Sequence, residues 1–108
     1  MEKLEIIKNA LEDKKASDIK ILDISEVSSV ADYFVIAHGN NINLVQALAD
    51  NVEEHMAKAG FEPRSKEGYA AGEWILIDYT DIIVHIFHQE KRSFYDLERL
   101  WRDAKEVK

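Results

Sequence analysis

Residues 74–88 read WILIDYTDIIVHIFH, and this stretch decides the fold. Trp74–Ile77 and Ile82–Phe87 are rich in β-branched and aromatic residues, as strands are. Between them Asp78-Tyr79-Thr80-Asp81 makes a tight turn. Side chains alternate across a strand, so Ile82, Val84 and Ile86 face one way while Ile83, His85 and Phe87 face the other. Both sets are mostly apolar, which predicts a sheet covered by helices on each face. The turn sets one aromatic and two carboxylates at one end of the hairpin, and Trp74 lies near the other end of its first strand.

Upstream of the hairpin the periodicity changes. Leu4, Ile7, Ala10 and Leu11 recur at helical spacing within residues 2–16, an amphipathic helix laid on a core. Residues 18–24 alternate polar and apolar as a half-buried strand, 25–31 form a loop, and 32–38 a second, largely buried strand. Gly39 breaks that strand, with Asn40 or Asn41 as N-cap of a helix whose inner face is Val45, Leu48, Ala49, Val52 and Met56, and Gly60 stops it. A short strand is expected to start in 61–65, a flexible loop in 66–72 and, after the hairpin, a last helix. Ser93 and Asp96 resemble a capping box for that helix, Phe94, Leu97, Leu100 and Trp101 form its stripe, and the tail from Arg102 is expected to fray. The predicted order is α-β-β-α-β-β-β-α: one α/β domain over 1–108 with a mixed sheet of about five strands flanked by helices.

The chain has 108 residues, 46% hydrophobic, enough for one core. No apolar run is long enough to span a bilayer, and the N-terminus lacks the features of a signal peptide. With no cysteine there are no disulfides and no thiolate metal sites, in keeping with a reducing cytosol. Twenty-one acidic residues against 14 basic ones leave a net charge of −7. Phosphates repel such a chain on average, so a basic protein partner is expected rather than direct nucleic-acid binding.

Each chemical reading has an ordinary structural alternative. His85 and His88 are three apart on a strand and fall on opposite sides, so no metal site is expected, and His85 reads as a hydrogen-bonded interior histidine. Asp78 and Asp81 could serve as an acid/base pair or a magnesium clamp, but aspartates flanking a turn usually bond its own amides. The Gly39 turn could hold an anion at a helix start, yet one glycine is far from a phosphate-cradling loop. No activated nucleophile is evident, and no cofactor is expected. Trp74, Asp78, Tyr79 and Asp81 form either a contact surface for a basic partner or, in the case of the two aromatics, partly buried scaffold.

The hairpin followed by EKRSFYDLERLW, together with ADYFVIAHGNN, QALADNV and EGYAAGEW upstream, resembles the ribosomal silencing factor family, related to plant Iojap, over nearly the whole chain. The resemblance implies a nucleotidyltransferase-like fold without catalytic activity, and homodimers in the free state. It implies binding to large-subunit ribosomal protein fourteen, which blocks docking of the small subunit and lowers translation when nutrients are short. By position, exposed Trp74, Asp78, Tyr79 and Asp81 would make that contact, with Glu73 and Lys66 at its margin. In two places the chain departs from the family pattern. Thr80 stands where glycine is usual, which predicts a turn of another type. Asn41, Asn43 and Leu44 replace the serine and basic pair that often follow Gly39, which weakens an anion role for that turn. The competing function is a small metal-dependent nucleotidyltransferase using the Gly39 turn and the hairpin carboxylates. It lacks the turn serine and a close Asp-x-Asp pair.

Overall fold

The second hairpin strand lies near the middle of a six-stranded sheet ordered β3-β4-β5-β2-β1-β6. In the computed structural model, which describes residues 2–95 and 105–107, the elements in chain order are α1 (Glu2–Asp13), β1 (Ser17–Asp23), β2 (Tyr33–Gly39), α2 (Ile42–Lys58), β3 (Ser65–Glu67), β4 (Trp74–Asp78), β5 (Ile82–His88), α3 (Gln89–Tyr95) and β6 (Lys105–Val107). Only β2 and β5 run parallel, from Tyr33 beside Ile82 to Gly39 beside His88; the other neighbours are antiparallel. The mixed α/β architecture matches the sequence expectation, with one strand more.

Alternation along these strands sorts the core into two layers. Val35, Ala37, Ile75, Ile77, Tyr79, Ile82, Val84 and Ile86 face α1 and α2 and join their buried residues in one cluster. Phe34, Ile36, Ile83 and Phe87 face the opposite way, with Leu22, Ile24 and Ala31 beside them and Trp74 and Leu76 partly buried against them. Val45, Leu48, Val52 and Met56 of α2 are fully buried, each contributing roughly 1.5–3 kcal/mol. The cap is Asn41, whose Oδ1 accepts the Leu44 N–H at 2.8 Å. At the other end Gly60 takes φ +90°, and the N–H groups of Gly60 and Phe61 bond the carbonyls of Ala57 and Met56. That double bond is the standard helix stop with a left-handed glycine just past the end.

Three expectations need correction. The strand after the proline is Ser65–Glu67, so Lys66 pairs with Ile77 in a ladder and does not sit in a flexible loop. Pro63 cannot donate to a ladder, and pairing begins only past Arg64, whose N–H reaches the Asp78 carbonyl. The last helix starts at Gln89, four residues before Ser93, with the His88 ring accepting the Glu90 N–H at 3.2 Å. The tail ends in β6, paired with β1 from Ile21 to Asp23. Three residues, Lys-Glu-Val, are too short for a periodic signal; the open edge of β1 supplies the order. The side chains of Ser93 and Phe94, and all of Asp96, Leu97, Leu100 and Trp101, lie outside the described residues.

Candidate functional site

Strand register divides the hairpin residues singled out above. Trp74, Leu76 and Asp78 share one face of β4, and Ile75, Ile77 and Tyr79 share the other. Across the sheet Trp74 pairs with Phe87, Leu76 with His85 and with Glu67, and Asp78 with Ile83 and Ser65. The face away from α1 and α2 therefore carries a half-buried Trp74 and Leu76, with Glu67 exposed at the sheet edge.

Tyr79 is not on that surface. It is 3% exposed beneath α2, and burial pushes its phenol well above its ordinary range, with Glu53 and Glu62 adding to the effect. Asp78 is 7% exposed and structural. Its Oδ2 accepts the Arg64 guanidinium at 2.7 Å and its Oδ1 accepts the Thr80 N–H at 2.7 Å. Asp81 turns toward α1, where Lys3 reaches its Oδ1 at 3.1 Å. Lys66 lies on the α2 side, paired with Glu53 at 2.9 Å and over the Tyr69 ring at 4.4 Å; the bond to Glu53 raises its pKa. Glu73 is exposed, and its carbonyl accepts the His88 N–H. Of the six expected contact residues, Trp74 keeps part of its surface on the outer face of the hairpin and Glu73 is exposed just before it, while Asp78, Asp81 and Lys66 are engaged in salt bridges and Tyr79 is buried. The physical reason is the period of two: Asp78 and Tyr79 are neighbours in sequence and so point to opposite sides. Glu67 was missed because only the pairing of β3 with β4 sets it beside Trp74, whereas alternation along β4 alone already puts Leu76 on that face.

The turn holds a strained threonine. Thr80 adopts φ +77°, so a β-branched residue occupies the conformation that glycine favours, contrary to the expected change of turn type. The Asp81 N–H bonds the Tyr79 carbonyl across it at 3.0 Å, and Tyr79 N–H closes the hairpin on Ile82 at 2.9 Å. Such a backbone costs about 1–3 kcal/mol, and the Asp78 side chain helps hold it. Thr80→Gly is expected to stabilise the fold by about 1 kcal/mol after the greater entropy of unfolded glycine, raising the melting temperature by about 4–8 °C. Thermal denaturation showing no rise would refute the strain.

Trp74 is fixed from beneath. Its indole Nε1–H donates to His85 Nδ1 at 3.1 Å, and its ring stacks on Phe87 with centroids 5.1 Å apart. His85 is 3% exposed and also meets Phe34 edge-on. Because Nδ1 accepts, the neutral ring carries its proton on Nε2, which is buried without a hydrogen-bond partner among the described residues. Burial lowers the ring from 6.5 to about 4. The unfolded chain thus binds this proton first as pH falls, so the stabilisation is complete above pH 6.5 and is lost toward pH 4. Between pH 7.5 and 5.0 wild type is expected to lose about 2 kcal/mol that a His85→Phe variant keeps. Urea denaturation of both at the two pH values checks this, and parallel curves would refute it.

The two hairpin carboxylates weighed as an acid/base pair do not converge. Asp78 and Asp81 serve separate cations on opposite sides of the hairpin. His38 Nδ1 lies 2.8 Å from Arg92 Nη1, which also donates to the Asp18 carbonyl at 2.7 Å. His88 caps α3. Among the described residues no three His, Asp or Glu side chains converge as a metal site would need, and no helix is long and apolar enough to cross a membrane.

The family profile described as "Ribosomal silencing factor during starvation" matches residues 1–108. This chain belongs to that family. It is 44% identical over 101 residues to the ribosomal silencing factor of Bacillus subtilis, covering 94% of this chain and 86% of that protein. A crystal structure of a protein from Chromobacterium violaceum superposes with a TM-score of 0.90 at 37% identity, covering 93% and 83% of the two chains. The chloroplastic Iojap protein of Arabidopsis thaliana is a more distant match, 26% identical over 95 residues, covering 88% of this chain and 40% of that protein. Membership places the chain in a family of ribosomal silencing factors, proteins of translation regulation.

Proposed function

We propose that this chain silences translation by occupying the large ribosomal subunit, through large-subunit ribosomal protein fourteen, on the surface the small subunit needs. Membership of the silencing-factor family over the whole chain carries the reading. The outer hairpin face adds a physical reason. A rigid tryptophan and a leucine, both half-buried, share one face with exposed Glu67, and exposed Glu73 precedes the tryptophan in sequence, on a chain of net charge −7. Aromatic anchors rimmed by carboxylates suit a basic ribosomal protein, and about 800 Å² per partner is within reach of a domain this size. The contact thus centres on Trp74 with Leu76, Glu73 and Glu67, while Asp78 and Tyr79 support it from inside. Blocking needs occupancy alone, with no bond made or broken, and it takes place in the cytoplasm where subunits join. In the free state the proposal includes a homodimer, which sedimentation equilibrium measures.

Co-sedimentation with purified subunits tests the proposal. The chain is expected to pellet with large subunits, to stay in the supernatant with small subunits, and to lower the yield of joined particles when added first. Equal pelleting with both subunits, or joining unaffected at saturation, would refute it.

A further inference from the structure

Beside Trp74 the sheet edge opens into a cleft of about 280 Å³ lined by Glu67, Gly68, Trp74 and Leu76. Small-molecule sites run from about 300 to 1,000 Å³ and enclose most of their ligand. This cleft is smaller, and its lining includes exposed Glu67 and Gly68, so it suits a single long side chain. Its walls differ in chemistry. Glu67 and Leu76 are partners across the β3–β4 ladder, and Trp74 is two residues along from Leu76, so all three stand on one face. One wall is main chain: Gly68, at φ +80°, brings the loop so close that a Cβ there would collide with the Trp74 carbonyl oxygen. The indole is already held by His85 and Phe87, so it has little freedom left to lose when a partner arrives. Glu67 has no salt-bridge partner among the described residues, whereas Lys66 beside it is taken by Glu53.

We infer that this cleft receives one arginine side chain from a protein partner. Its methylenes lie along Leu76, its guanidinium plane rests on the Trp74 indole, and its N–H groups meet the Glu67 carboxylate. A planar, weakly hydrated guanidinium stacks on an aromatic while bonding a carboxylate in its own plane; an ammonium presents a compact, strongly hydrated charge. The negative net charge favours the approach of a basic group. The inference rests on the proposed docking face and adds the chemistry that the partner must bring to it.

The test is a nuclear magnetic resonance titration of the ¹⁵N-labelled chain with Nα-acetyl-arginine methylamide, and with its lysine and citrulline counterparts. Arginine is expected to shift the Trp74 indole N–H and the Glu67 and Gly68 amides saturably. The uncharged citrulline compound is expected to bind about tenfold more weakly, lysine more weakly than arginine, and Glu67→Gln to weaken arginine binding about tenfold. Absence of a saturable shift, equal response to citrulline or lysine, or an unaltered Glu67→Gln titration would each overturn the inference. Large-subunit co-sedimentation separates it from the docking reading. If Trp74→Ala loses association and Glu67→Gln does not, the docking face stands and the arginine slot falls. If both variants pellet as wild type does, the docking face falls as well. Loss of association by both, together with the arginine-specific shifts, supports the slot.

Discussion

Trp74→Ala is expected to lose large-subunit association by at least about 2 kcal/mol, roughly thirtyfold, because a rigid, half-buried indole at an interface centre is the kind of residue that dominates binding. The variant also loses the hydrogen bond to His85 Nδ1 and the stack on Phe87. It should therefore melt lower by an amount corresponding to about 1–3 kcal/mol, since a buried acceptor is left without its donor. The two effects separate by experiment. At a temperature where circular dichroism shows the variant folded, its co-sedimentation reports binding alone. Trp74→Phe serves as a second probe: it keeps a ring over Phe87 and gives up only the Nε1–H and part of the area, so its loss should lie between those of wild type and alanine. Undiminished pelleting by folded Trp74→Ala would remove the hairpin face from the interface.

Asp78→Lys is expected to unfold the domain at moderate temperature, which makes it useless as a binding probe. Asp78 is 7% exposed, and its two oxygens hold the Arg64 guanidinium and the Thr80 amide. A lysine there would bury a cation beside Arg64 and release the strained turn. Arg64 itself is 66% exposed, so the cost lies in setting an unpaired charge into the buried Asp78 site and losing the Thr80 bond, about 3 kcal/mol, a large share of the roughly 5–15 kcal/mol that a domain has in total. At about 4–8 °C per kcal/mol the melting temperature should fall by at least ~12 °C. Asp78→Asn, which keeps an acceptor for the Thr80 N–H, should fall by less. A lysine variant melting within a few degrees of wild type would show that the aspartate is a surface residue after all. If loss of ribosome binding in Asp78→Lys tracks its unfolding, that loss says nothing about the contact surface.

Much of the architecture was legible along the chain because it rests on local periodicity. Val45, Leu48, Val52 and Met56 could face only one side of a helix, Asn40 or Asn41 and Gly60 could cap only its two ends, and the two greasy strands around Asp78–Asp81 could make only a hairpin. Family membership was legible too, since it depends on residue order and not on contacts. The start of α3 at Gln89, the short β3 and the terminal β6 were not, because each takes its order from a distant partner: the His88 ring, the edge of β4 and the edge of β1.

The site shows the same division more sharply. Sequence alone determined that Trp74, Asp78, Tyr79 and Asp81 lie within one hairpin, and that the hairpin is the chain's most specific feature. Tertiary structure alone decided which of them keep exposed surface. Alternation separates two faces but does not say which one α2 will cover, nor which carboxylate a distant Arg64 or Lys3 will neutralise. Those choices follow from packing and charge pairing between residues far apart in the chain, and they leave Trp74 outside and Tyr79 within.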